Sequence, residues 1–112
     1  MIPIQEIDIY SDNNIKISAH IIVQNSSQVS AEISIYDPLH NNLYSAYQPI
    51  GQFTSASDAF DAILTTSDKY ITKSSGTIVK INNPCNTEFL DKVAQQSIVA
   101  SKSITVNVEV NA

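Results

Sequence analysis

Between residues 15 and 35 apolar side chains occupy every second position: Ile15, Ile17, Ala19, Ile21 and Val23, then Val29, Ala31, Ile33 and Ile35. A period of two belongs to a strand with one buried face, and no helix would gather those positions on one side. The polar run "QNSSQ" at 24–28 divides the stretch into a hairpin. Ile7 and Ile9 carry the same alternation ahead of "SDNN" at 11–14, which adds a preceding strand and a second hairpin. Pairing must keep the apolar residues on one face, so only even shifts of register are allowed. The register expected is Ile7 opposite Ile17 and Ile21 opposite Ala31. It sets Asp8 across from Lys16, and His20 across from Glu32, on the polar face. Ile2 and Ile4 are out of phase with Ile7, a slip that a bulge or an unpaired lead-in near Gln5 would absorb.

The pattern then changes. After the turn-forming "DPLHNN" at 37–42, the segment "LYSAYQPI" at 43–50 reads as a weaker strand, with Pro49 suited to an end or an edge. Ser55, followed by Asp58, is an N-cap signal. Ala59, Phe60, Ile63, Leu64, Ser67, Tyr70 and Ile71 then recur at helical spacing, with Lys69 and Lys73 near the C-terminal end and Gly76 as a stop. "TIVKI" at 77–81 is a short strand. A second helix follows, with Asn83 as cap and Pro84 at its first helical position, or with a cap a few residues later; its apolar positions are Phe89, Leu90, Val93, Ala94 and Ile98. Ile104, Val106, Val108 and Val110 alternate with polar residues in what is the clearest strand of the chain. Strands first, then helix, strand, helix and strand, describe a single α+β domain over residues 1–112. The fold expected is a two-layer sandwich whose mainly antiparallel sheet, of five to six strands, carries two helices on one face. The run G-x-F-x-S-x-x-D-A-x-x-A-I at 51–63 resembles a strand-to-helix junction of small bacterial α+β proteins, a resemblance that implies packing and capping rather than an activity.

Charge narrows the functional classes. Six basic residues against eleven acidic ones give a net charge of −5, and every basic residue is Lys. Without Arg the chain lacks the planar fork used to read guanine and clamp phosphate, and its Lys are scattered along the sequence, so direct nucleic-acid binding is not expected. Two Gly cannot build a glycine-rich phosphate loop. The single Cys85 forms no internal disulfide, and "MIPIQEIDIY" has neither the basic start nor the apolar run of a signal peptide, so a cytoplasmic protein without a membrane segment is expected.

Residues able to carry chemistry are few. Cys85 lies near an expected helix start, where a thiol can ionise, but no hydrolase signature surrounds it. Asp37 and His40 stand three apart between Tyr36 and Tyr44, too few ligands for a metal. No catalytic, metal or cofactor site is expected. Tyr36, Tyr44 and Tyr47 cluster around that loop, and tyrosines are favoured contact residues. Asp58, Asp61 and Asp68, with Thr65 and Thr72, share one face of the first helix. The partner-facing surface expected from sequence is therefore Asp58, Asp61 and Asp68 with Tyr36, Asp37, His40, Tyr44 and Tyr47, directed at another protein with a basic patch; a homodimer is also compatible. This describes a small acidic non-enzymatic protein-binding module. Its most concrete form is a phage- or mobile-element inhibitor of a nucleic-acid-handling bacterial defence complex, in the manner of anti-CRISPR proteins. The alternatives are a toxin-neutralising immunity protein and a structural protein that pairs through a sheet edge.

Overall fold

A computed structural model of the chain describes residues 4–43, 46–83 and 90–110. Six strands form one sheet: β1 (Ile4–Ser11), β2 (Lys16–Asn25), β3 (Gln28–Tyr36), β4 (Gln48–Phe53), β5 (Ile78–Asn83) and β6 (Val108–Val110), in the order β4-β3-β2-β1-β5-β6. All neighbours are antiparallel except β5 and β6. Two helices, α1 (Ala56–Lys73) and α2 (Lys92–Ser101), cover one face, giving the α+β two-layer sandwich read from the sequence. Ile7, Ile9, Ile17, Ile21, Phe60, Ile63, Leu64, Ile81 and Val99 are fully buried between the layers.

Ile21 pairs with Ala31 and His20 with Glu32, as the alternation requires. The first hairpin departs from expectation by two residues: Ile7 faces Ala19, Ile9 faces Ile17, and Asp8 faces Ser18 while Lys16 faces Tyr10. The turn decides this. Ser11 N–H donates to Ile15 O at 3.0 Å, enclosing Asp12, Asn13 and Asn14, and Asn14 is left-handed at φ 69°. A three-residue connection ending in a left-handed residue sets the register, and both registers keep the same faces. Nor is there a slip at Gln5. Pairing runs unbroken through Ile4↔Ile22 and Gln5↔Ile21, so Gln5 turns inward and is buried while Ile4 faces out beside Ile22. The irregularity of β1 lies at Tyr10/Ser11, against β5.

The strand expected at 43–50 begins only at Gln48 and runs to Phe53, with Pro49 on an edge strand that needs no donor there. Helix α1 starts as expected: Ser55 Oγ accepts from Asp58 N–H at 3.1 Å. At its end Ser75, left-handed at φ 63°, donates to Thr72 O and Gly76 donates to Ile71 O, the paired bonds of a Schellman motif. Gly76 serves close approach, because a Cβ there would overlap the Asn13 side chain, which donates to Ser74 O at 2.9 Å. Gly76→Ala is therefore expected to displace that amide and lower stability by about 1 kcal/mol, read from urea denaturation.

The C-terminal third corrects three readings. Asn83 is not a helix cap but the buried end of β5, donating to Gln95 Oε1 at 3.1 Å. The cap of α2 is Asp91, whose carboxylate accepts from Ala94 N–H at 2.8 Å. With the helix phased from Asp91, Val93 points outward, 78% exposed, and Gln95 and Val99 point inward. Gln95 is tolerated there because its Nε2–H also donates to Leu90 O at 2.9 Å. Phe89, another apolar position expected in the second helix, lies outside the described residues, as does Pro84, while Ile35 and Val106 are only partly buried. Finally, ladder pairing in the last strand is confined to Val108–Val110. Gln96 takes the place of a neighbouring strand where β6 begins: its Nε2–H donates to Val106 O at 3.0 Å, and its Oε1 accepts from Val108 N–H at 2.8 Å.

Candidate functional site: the open face of the sheet

Since both helices lie on one side, the even-numbered residues of β1, β2 and β3 form the other face, and the register stacks them in rows. One row is Tyr36, Lys16, Tyr10 and Lys80; the next is Ser34, Ser18, Asp8, Asn82 and Glu109; the third is Glu32, His20 and Glu6. A fourth, Ser30, Ile22 and Ile4, is partly apolar. The face is thus graded from lysine and tyrosine at one end, through carboxylates, to isoleucine at the other.

The chain entering β4 crosses the middle of this face. Tyr47 lies flat on His20, with ring centroids 4.3 Å apart and planes 13° from parallel, and shares a hydrogen bond with Ser18. His20 stands between two carboxylates, Nε2 at 3.9 Å from Glu6 and Nδ1 at 4.0 Å from Glu32. Partial burial pushes the Tyr47 phenol above its ordinary pKa, and the charges of Glu6, Asp8 and Glu32 push it further. The rise marks a negative field centred on an aromatic ring that is still 36% exposed. The sequence marks Tyr47 only as a candidate contact residue; its position on His20 was not legible, because no local pattern connects residues 20 and 47.

Asp37 and His40 are brought together as their spacing suggested, but Asp37 is fully buried and therefore cannot be a partner contact. Its Oδ2 accepts from His40 Nδ1 at 2.6 Å and from Tyr70 Oη at 2.8 Å, tying the turn Pro38–His40 to the last turns of α1. Asp37 also exchanges backbone bonds with Asn42. Burial pushes the carboxyl up, but the hydrogen bonds from Tyr70 and His40, with the attraction of His40, outweigh it and hold its pKa below the ordinary value. Tyr70 is pushed up by burial and by its bond to that carboxylate. His40, Tyr70, Lys73 and Ser74 border a cleft of about 400 Å3. An imidazole oriented by a buried carboxylate is half of a catalytic arrangement. Here the same bonds anchor the loop, and among the described residues no hydroxyl or thiol hydrogen-bonds to His40 as a nucleophile would. Nor does any third His, Cys, Asp or Glu join Asp37 and His40 as a metal ligand among those residues. Cys85 and Tyr44 lie outside them.

The acidic strip of α1 is less open than its sequence suggests. Asp58 is exposed, with Thr54 Oγ1 donating to it at 3.4 Å, but Asp61 pairs with Lys102 at 2.9 Å. Asp68 borders a small cleft of about 140 Å3 that also contains Lys102. Lys102 follows α2 and folds back along the strip, a tertiary neighbour that the α1 sequence cannot reveal.

No protein-family model matches this chain, and neither the curated proteins nor the solved structures contain a match to it. Among the described residues, no helix is long and apolar enough to cross a membrane.

Proposed function

We propose that the chain is a small, acidic, non-enzymatic protein-binding module that engages a basic surface of another protein through the open face of its sheet. The observation that carries this reading is Tyr47, laid on His20 among Glu6, Asp8 and Glu32 on the face that α1 and α2 leave uncovered. Carboxylates around an aromatic anchor suit a lysine- or arginine-rich partner: the charges steer association, and the ring supplies buried contact area. In its most concrete form the module inhibits a bacterial defence nuclease by occupying the surface that would hold nucleic acid, with the carboxylate rows standing where phosphates would lie. A toxin-neutralising role would use the same face against a different basic target. Pairing through a sheet edge has less support, because β4 is interrupted by Pro49 and a register shift and β6 is three residues long.

The test is inhibition of DNA cleavage by a panel of RNA-guided bacterial nucleases. It compares the parent with Glu6→Gln/Glu32→Gln/Tyr47→Ala and with Asp58→Asn/Asp61→Asn/Asp68→Asn. The expected result is that at least one nuclease is inhibited, that the sheet-face variant is weaker by about 30-fold or more, and that the helix variant stays within about threefold. Loss in the helix variant alone would move the surface to α1. No inhibition across the panel would remove the nuclease form of the proposal.

A further inference from the structure

The cleft at the end of α1 offers positive charge and hydrogen-bond donors to whatever enters it. It holds about 400 Å3 and is bordered by His40, Tyr70, Lys73 and Ser74, with no carboxylate among the described residues that line it. The carboxylate behind its wall, Asp37, is fully buried, and its Oδ2 already holds His40 Nδ1 at 2.6 Å and Tyr70 Oη at 2.8 Å. Those bonds fix the imidazole while its side chain stays 60% exposed, so Nε2 is the ring nitrogen open to a ligand. Lys73 is exposed and makes no ion pair among the described residues, unlike Lys80 on Glu109 and Lys102 on Asp61. Lys69, one turn earlier on α1, is exposed and unpaired in the same way, so positive charge gathers here on a chain whose net charge is −5. The helix end does not oppose a negative guest. The amides of Ser74, Ser75 and Gly76 donate to the carbonyls of Tyr70, Ile71 and Thr72, and so cover the groups that would repel it. The volume is within the range of small-molecule sites and leaves room beyond a single oxyanion.

We propose that this cleft binds a tetrahedral dianion of the phosphate or sulfate type, its oxygens held between Lys73 Nζ and His40 Nε2. Lys73 acts as a point charge, and a protonated His40 donates through Nε2, so the site needs no arginine. The titratable groups facing the ring are Asp37 from the loop and Tyr70 and Lys73 from α1. An anion beside the ring favours its protonated form, so binding takes up a proton at His40. None of the lining residues belongs to the Tyr47 surface, and neither proposal depends on the other. The test is an NMR titration of the full chain with sulfate and with phenyl phosphate, at an ionic strength held constant with chloride. Sulfate keeps its charge between about pH 6 and about pH 8, so a change in its affinity over that range comes from the protein. Both anions are expected to shift the signals of His40 and Lys73, and sulfate to bind about threefold or more tightly at the lower pH. Tighter binding of phenyl phosphate than of sulfate identifies an organic ester as the ligand, and equal binding identifies the inorganic ion. Lys73→Gln, which breaks no described side-chain bond, is expected to weaken sulfate about fivefold or more. His40→Gln is expected to abolish the pH dependence. The proposal is overturned if neither anion shifts these signals at about 20 mM, if chloride alone reproduces the shifts, if Lys73→Gln binds as the parent does, or if the pH dependence is absent from the parent or survives in His40→Gln.

Discussion

Replacing Phe60 by Ala is expected to cost about 3–5 kcal/mol, the largest loss expected from truncating any one side chain of the core. Phe60 is completely buried and is the largest such side chain between the layers. It sits in the first half of α1, the helix that covers β2, β3 and β4, so its removal leaves a cavity that several elements would have to move together to close. A helix starting from a good cap and ending in a Schellman motif will not unwind to fill it. Urea denaturation followed by far-ultraviolet circular dichroism measures the change. A loss under about 1 kcal/mol would show that α1 does not dock on the sheet through this residue.

Asp37→Asn is expected to cost about 2 kcal/mol at neutral pH, because two side-chain donors converge on a buried charge that the amide does not carry. The cost also depends on pH in a definite direction. The folded-state pKa of Asp37 is lowered, so the unfolded chain holds more protons between the two values, and stability increases with pH across that window. The contribution is complete above the ordinary carboxylate range, near pH 4, and is lost as pH falls through the folded value. Denaturation midpoints of parent and variant should therefore differ most at neutral pH and approach each other in acid. A difference that stays constant from about pH 7 to about pH 2 would show that the charge of Asp37 contributes nothing.

The elements read correctly are those whose cause is local. Alternation around Ile17, Ile21 and Ile33 depends only on strand period, and the start of α1 depends on Ser55 and a helical stripe directly after it. The register of the first hairpin was missed because its own turn closes on three residues, whereas in the C-terminal third a distant group decided. Gln95 took an inward position because Asn83 and the Leu90 carbonyl needed partners, and Val93 went outward as a result. Ile104 and Val106 keep the burial rhythm of a strand, yet the side chain of Gln96 serves the backbone beside them. The candidate sites divide in the same way. The three-residue spacing of Asp37 and His40 was legible, whereas Tyr70, Lys102 on Asp61, Tyr47 on His20 and the two lysines on Tyr10 all join residues from different elements. The lysines that look dispersed along the sequence are partly gathered by the sheet.

The position of β1 between β2 and β5 has a consequence during synthesis. Its hairpin with β2 is complete once residue 25 has left the ribosome, but its other edge stays unpaired until β5, ending at residue 83, emerges. At bacterial and eukaryotic elongation speeds that interval is roughly 3–12 s, far longer than a hairpin needs to form. A nascent chain therefore exposes a strand edge rich in isoleucine for seconds, when neighbouring chains on the same message could pair with it. Glu6 and Asp8, alternating with Ile7 and Ile9, oppose like charges wherever such a copy-to-copy pairing sets these positions across from each other, and so disfavour those registers before the chain is folded.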